Sequence, residues 1–299
     1  MAVAGFRVAF QKPVAILIWA AFALITALGS GVITVATMGP ALAKIQSATP
    51  GDPQASLAAL GQMGIGYAIL LPCYLITSAI TTVAANRAML RPQERQFGYL
   101  RLGPDEFRVG VVLLVVGLIM GLLYIVSAIV FLGLGAFLGV VLAGHGEDPT
   151  GSVAGMSIGM LLGLIPAGLI MAFVASKFSL SSAVTLDTRS INIFGSWSLT
   201  RGRTGKVFLT YLLMLGLYVL VGLIAVSLMA GAVAAFGGGA AGMLKMFQPD
   251  MSTYKGLFAP ITFTYYVLVA LVSGLGNAIF NCPPAAIYQA IRRRDVDVF

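Results

Sequence analysis

The order of apolar and polar positions divides the chain into six long apolar stretches, approximately Pro13–Met38, Gly61–Asn86, Val109–Ala143, Val153–Ser176, Val207–Phe236 and Leu257–Ile291. A membrane helix needs ~20 predominantly apolar residues to cross the hydrocarbon layer, so each stretch predicts one span. The third, fifth and sixth are longer than one crossing requires and must tilt, kink or protrude. The pattern predicts an all-α polytopic membrane protein. Residues 1–299 form one integral membrane domain, its six transmembrane helices arranged as three hairpins with amphipathic elbows at the interface.

Composition supports that expectation. The 299 residues are 59% hydrophobic and only 9% charged, with a mean hydropathy of +0.97. Soluble domains average ~25% charged residues. A chain this poor in charge cannot cover a water-facing surface, and no segment is long and polar enough to form a separate soluble domain.

The net charge of +8 would suggest nucleic acid in a soluble protein. Here no basic-aromatic stripe or nucleic-acid motif accompanies it, so we expect no nucleic-acid partner and read the charge as topogenic. Arg7 and Lys12 precede the first span, and Arg87, Arg91, Arg95, Arg101 and Arg108 surround the second connection. Lys177, Arg189, Arg201, Arg203 and Lys206 surround the fourth, and Arg292, Arg293 and Arg294 follow the sixth span. The other connections hold only Lys44, Lys245 and Lys255. Basic residues accumulate on the cytoplasmic side, which predicts a bacterial-type inner membrane with both termini in the cytoplasm. The Ala41-Leu42-Ala43 run imitates a signal cleavage site. The apolar run before it, Val14–Met38, exceeds the ~7–15 residues of a signal peptide's apolar core, so the first span is expected to be retained. Cys73 and Cys282 fall at different depths, too far apart for the ~7 Å Cα limit of a disulfide. They are expected to be free, buried thiols.

Three weak repeats run along the chain, each an amphipathic segment followed by an outward and a returning span. Phe97-Gly98-Tyr99-Leu100-Arg101-Leu102 matches Phe194-Gly195-Ser196-Trp197-Ser198-Leu199, and Phe6-Arg7-Val8-Ala9-Phe10 has the same character. The returning spans carry Pro72, Pro166 and Pro260 at matching intervals.

The most distinctive segment is Leu186–Lys206. Asp187 or Thr188 is placed to cap a short helix. On it Ile191, Phe194 and Trp197 fall near one face with Ile193 flanking, and Arg189, Ser190, Asn192 and Ser196 fall on the other. Such a helix lies in the headgroup plane with Trp197 as its anchor. Arg201, Arg203 and Lys206 then meet anionic lipid phosphates. An ordinary helix–helix elbow with topogenic charges fits the same residues.

The run Phe194-Gly195-Ser196-Trp197-Ser198-Leu199-Thr200-Arg201-Gly202-Arg203, followed by an apolar span, resembles the Ser-Trp-x-Leu-Thr-Arg-Gly signature of uncharacterised bacterial inner-membrane proteins. These are similar to the membrane domain of some glycerophosphoryl diester phosphodiesterases. Tyr99-Leu100-Arg101-Leu102-Gly103-Pro104-Asp105-Glu106 resembles alphaproteobacterial members. The resemblance covers about forty residues in two pieces. It implies a six-span helical module and transfers no catalytic residue, because the soluble catalytic domain has no counterpart here.

Other features read directly. Gly103-Pro104-Asp105-Glu106 is a helix start: proline suits the first turn and the acids complement the positive helix end. The surrounding arginines are placed to pair with Glu94, Asp105 and Glu106. Gly151, Gly155, Gly159 and Gly163 form overlapping GxxxG units, joined by Gly117/Gly121 and Gly135/Gly139 in the third span. Such stripes let helix backbones approach in lipid, either within the chain between spans three and four or across a homo-oligomer. Asn277 and Asn281, four apart, share one helix face just before Pro283-Pro284. They are either a polar patch or gate, or part of a kink satisfied by its neighbours.

The lone histidine, His145, sits near Glu147 and Asp148 without a rigid ligand frame and reads as a solvated turn. There is no HExxH metal motif. No acid lies deep within a span, which argues against ion coupling. We therefore expect no catalytic residue, cofactor or metal. The leading expectation is a non-enzymatic envelope protein that binds membrane lipids or a membrane-protein partner through the basic elbows and glycine faces. The alternative is a permease or channel for a small or lipidic solute, with Asn277 and Asn281 lining its path. An enzyme acting on lipid headgroups lacks an identifiable general base.

Overall fold

The structure is a computed structural model and describes residues 3–47, 53–143, 166–235, 242 and 250–296. No strand occurs among them. Six helices are long and apolar enough to cross a membrane, and the chain is an all-α, multi-pass membrane protein.

A short amphipathic helix α1 (Ala4–Gln11) leads into α2 (Pro13–Ser47), and α3 spans Pro53–Leu90. A 3-10 turn (Gln96–Tyr99) precedes α4 (Pro104–Ala143). The fourth span, α5 (Pro166–Thr188), is interrupted by a turn at 179–180 and resumes as Ser181–Thr188. Then come α6 (Gly195–Thr200), α7 (Thr204–Ala235), α8 (Tyr254–Leu257) and α9 (Pro260–Val296). The helices outrun the apolar stretches: α2 continues through Lys44 to Ser47, and α3 starts at Pro53.

The last helix holds the bundle together. α9 packs most extensively on α2, and also on α1, α3, α7 and the end of α5; α2 packs on α3, and α3 on α4. Small residues set these crossings. A Cβ on Gly274 would lie 2.8 Å from the Ile16 carbonyl oxygen of α2, and one on Gly5 would collide with the Ala278 carbonyl oxygen of α9. Neither position has room for a side chain, so both glycines are close-approach positions of the kind that drive helix association in lipid. At Gly117 and Gly121 an added Cβ meets nothing within 4 Å among the described residues. Gly151, Gly155, Gly159 and Gly163 lie outside the described residues, as do His145, Glu147 and Asp148.

Burial is concentrated at the end of the bundle that carries both termini and the two basic connections. There Val8, Trp19, Ala84, Tyr99 and Cys282 form one cluster, and Leu180, Val207, Ile287 and Tyr288 a second. Most exposed large apolar residues elsewhere, such as Leu118, Leu122, Leu220 and Leu228, form the lipid-facing surface of a six-span protein. The evenly spaced prolines of the repeats sit differently in their helices: Pro72 lies inside α3, whereas Pro260 opens α9. Proline in a first turn costs no hydrogen bond, whereas inside a helix it does.

Candidate functional site

Two polar regions stand out: a buried polar layer at the basic end, and a cleft below it.

The layer is built around the connection between α3 and α4. Arg87, in the last turn of α3, is only 1% exposed. Its guanidinium pairs with Glu106 at 2.5 Å and Asp105 at 3.3 Å and donates to the Tyr99 carbonyl at 3.3 Å. Arg91 pairs with Asp105 at 3.0 Å and donates to the Leu186 carbonyl of α5 at 2.6 Å. Arg101 reaches Glu94 at 2.7 Å, and Arg108 reaches Asp105 at 3.1 Å. These partners follow from sequence neighbourhood. The depth of Arg87 and Glu106 does not. The chain takes three consecutive left-handed residues here, Phe97, Gly98 and Tyr99, with φ of 47°, 62° and 71°. Left-handed backbone costs a non-glycine residue roughly 1–2 kcal/mol. Neighbouring helices hold it: the Trp19 indole donates to the Gly98 carbonyl at 2.7 Å, and Lys12 donates to the Tyr99 hydroxyl at 2.9 Å. Trp19, at 1% exposure, went unremarked in the sequence because an indole inside an apolar run gives no periodic signal.

The connection between α5 and α7 corrects an expectation. The helix expected to start at Asp187 or Thr188 does not start there; both residues end α5. Arg189 is left-handed, with φ 54° and ψ 26°, and terminates the helix. The Asp187 carboxylate instead accepts from Tyr288 at 2.8 Å and pairs with Arg292 at 2.5 Å, tying α5 to the end of α9. Helix α6 begins only at Gly195, whose amide donates to Asn192 Oδ1 at 2.7 Å. Ile191, Phe194 and Trp197 are nonetheless exposed. Trp197 packs edge-on against Phe178 at 5.6 Å, with the Lys177 ammonium 5.8 Å from its ring centre. Arg203 and Lys206 line a common surface cavity whose lining does not include Trp197 or Arg201; the four candidates are neighbours along the chain but do not converge on one point.

The cleft lies where α2, α3 and α9 diverge. One cavity of about 360 Å³ is lined by Trp19, Thr81, Tyr218, Asn277 and Asn281, among others. A second, of about 580 Å³, includes Ser30, Thr34, Cys73 and Tyr266. The two share Ala23, Thr26, Tyr74, Thr77 and Ser273, so they form one continuous cleft. At ~1.5 Å per helical residue, the stretch of α2 from Trp19 to Thr34 takes it over most of a ~30 Å hydrocarbon layer. Among the described residues, no Asp, Glu, Lys or Arg lines it.

Its polarity comes from hydroxyls and amides. Thr26, Ser30, Thr77 and Thr81 spend their protons on carbonyls of their own helices and so present acceptor oxygens to the cleft. Asn281 donates to Asn277 Oδ1 at 2.6 Å, and Asn277 to the Thr81 carbonyl at 3.4 Å. This chain ties α9 to α3 at the cleft's inner end. The two asparagines thus face one another and the cleft together, while α9 continues as helix through Pro283 and Pro284. Prolines there leave the Ile279 and Phe280 carbonyls without their helical donors. Both cysteines are free, but only Cys282 is buried; Cys73 is exposed, on the cleft wall. Among the described residues no group of three or more His, Cys, Asp or Glu is placed to hold a metal ion. No family model, curated protein or solved structure matches the chain.

Proposed function

We propose that this chain is a non-enzymatic protein of a bacterial inner membrane, with both termini in the cytoplasm, that binds the uncharged polar part of a lipidic molecule in the cleft between α2, α3 and α9. The carrying observation is the cleft: a long cavity at membrane depth whose polar lining is hydroxyls and carboxamides, with no charged side chain among the described residues that line it. Burying polar groups in lipid is costly unless they are satisfied. An acceptor-rich, neutral wall suits a ligand that brings hydroxyl or amide donors on an apolar body. The orientation rests on the basic residues, which accompany the termini and the second and fourth connections as the positive-inside rule requires.

A second function, release of the ligand across the membrane as a permease would do, is favoured by one feature. The inner end of the cleft stops at Trp19, Asn277 and Asn281, directly under the buried layer. Trp19 there also donates to the Gly98 carbonyl of the first basic connection.

The test fills the cleft. Ser273 is exposed and lies where the two cavities meet, so Ser273→Phe occupies the passage without disturbing a buried contact. Mass spectrometry of lipids retained by the full chain in mild detergent should find a neutral-headed or polyol lipid on the wild type that the variant has lost. A retained-lipid profile identical in the two proteins rejects the cleft as the binding site.

A further inference from the structure

We infer that the inner end of the cleft is a subsite for a neutral sugar ring, the headgroup of a glycolipid. This rests on the cleft binding a lipidic molecule, as proposed above, and names the class of that molecule. Besides the buried Trp19, four aromatic rings line the inner cavity, one from each of four helices: Phe22 of α2, Tyr74 of α3, Tyr218 of α7 and Phe280 of α9. Tyr74 is exposed and the other three are half-buried, so all four keep surface to offer a ligand. Tyr218 stands edge-on to Phe280 with ring centres 4.6 Å apart. Gly276 makes room for it, since a Cβ there would lie 2.9 Å from the Tyr218 ring. The carboxamides of Asn277 and Asn281 line the same cavity. A carboxamide nitrogen carries two N–H donors. The Asn281 nitrogen gives one to Asn277 Oδ1, and the Asn277 nitrogen gives one to the Thr81 carbonyl, so each holds a second.

This set of groups selects the ligand. The second carboxamide hydrogens donate, while Thr26, Thr77 and Thr81 present acceptor oxygens, so the partner must both accept and donate. A sugar hydroxyl does both. The face of an aromatic ring is negative, and the C–H bonds on one face of a pyranose, made positive by the sugar's oxygens, pack against it. A diacylglycerol brings one hydroxyl and leaves most of these groups unmatched. A phosphate or ammonium headgroup would enter unpaired, because no charged side chain among the described residues lines the cavity. At about 360 Å³ the inner cavity is at the small end of the ~300–1,000 Å³ of ligand sites. It takes a headgroup, and the acyl chains leave through the adjoining cavity of about 580 Å³.

The experiment uses the full chain in lauryldimethylamine oxide, a detergent without sugar, and native mass spectrometry. Monoglucosyl diacylglycerol and diacylglycerol of identical acyl chains are offered together, with and without millimolar free glucose. Wild type should retain the glucosyl lipid in preference, and free glucose should not displace it. One hydrogen bond is worth roughly a fivefold change in occupancy, so Asn281→Leu should lower the preference by that factor. Asn281 also bonds Asn277, so Tyr218→Leu is read beside it. That variant removes a half-buried ring, leaves both asparagine bonds in place, and should lower the preference roughly threefold. Thr34 lines the outer cavity alone, so Thr34→Val should leave the preference intact. Ser273→Phe should lower retention of both lipids. Equal retention of the two lipids by wild type, with both lost in Ser273→Phe, would keep the cleft as the binding site and overturn the sugar subsite. Retention unmoved by Ser273→Phe would overturn the cleft and the subsite with it. Displacement by free glucose would mean a site for a soluble sugar, and a preference surviving both Asn281→Leu and Tyr218→Leu would place the sugar elsewhere; either overturns the inference.

Discussion

The two basic connections match one another in sequence and are held by opposite means. In both, an exposed phenylalanine, Phe97 or Phe194, is followed by glycine and then by a buried residue that fastens the connection to the preceding span. In the first the fastening is ionic. Tyr99 is gripped through its carbonyl by Arg87, which is itself buried against Asp105 and Glu106. In the second it is a hydroxyl. Ser196 accepts from the Leu180 amide at 3.0 Å and donates to the Lys177 carbonyl at 2.6 Å, while Arg201, Arg203 and Lys206 stay exposed. One connection buries its charge as structure; the other keeps its charge at the surface. That difference separates a connection fastened by buried ions from one fastened by a buried hydroxyl.

The largest expected effect tests the ionic side. Arg87→Met keeps the volume and removes the charge, leaving Glu106 buried without its ion-pair partner while Asp105 keeps Arg91 and Arg108. Breaking a buried pair from one side costs about 3–5 kcal/mol. Denaturation in mixed detergent micelles should show a loss of that order. Arg87→Met/Glu106→Leu should recover part of it, since neither charge is then stranded. A loss below about 1 kcal/mol for the single variant would put this network in the class of surface ion pairs and erase the contrast.

The hydroxyl side should be weaker. Ser196→Ala deprives the buried Leu180 amide of its acceptor at the turn that interrupts α5. Leaving a buried donor unsatisfied costs ~1–3 kcal/mol, so the same denaturation assay should register a loss in that range. If Ser196→Ala costs as much as Arg87→Met, the two connections are fastened equally and the contrast between them fails.

How much of this was legible before the fold depends on the distance over which each feature is determined. Six spans follow from run length, a property of the chain alone. The pairing of the arginines with Glu94, Asp105 and Glu106 follows from neighbours within a few turns. The depth of Arg87 is different: it requires the start of α4 and the end of α5, brought over by Arg91's bond to Leu186, which lies far along the chain. The false helix start at Asp187 had a local cause. Apolar residues at Ile191, Phe194 and Trp197 have helical spacing, but the left-handed Arg189 and the Asn192 side chain delay the helix to Gly195. Asn277 and Asn281 were visible as a shared face. Their cleft was not, because threonine and serine in a membrane helix bond to their own backbone and show no period that points to a cavity. The glycines that set helix crossings, Gly5 and Gly274, stand alone in the sequence and lacked the spacing that drew attention to the GxxxG runs.

The smallest expected effect is the sharpest on what distinguishes the two connections. Arg101 and Glu94 make an ion pair at 2.7 Å, as short as many buried ones, yet Arg101 is half exposed. If charge itself fastened the first connection, Arg101→Gln would weaken the protein much as Arg87→Met does. If burial decides, the pair is a surface bridge, worth about 0–1 kcal/mol and screened by salt. Glu94 would not be stranded, because Arg87 and Arg91 remain within 3.6 and 3.8 Å of it. Arg101→Gln should therefore cost less than about 1 kcal/mol at low ionic strength, with the difference shrinking as salt is raised, whereas the Arg87→Met loss should persist at the same salt concentrations. A salt-insensitive loss at Arg101 comparable to that at Arg87 would show that the whole arginine cluster acts as one unit, and that exposure does not separate its structural members from its surface ones.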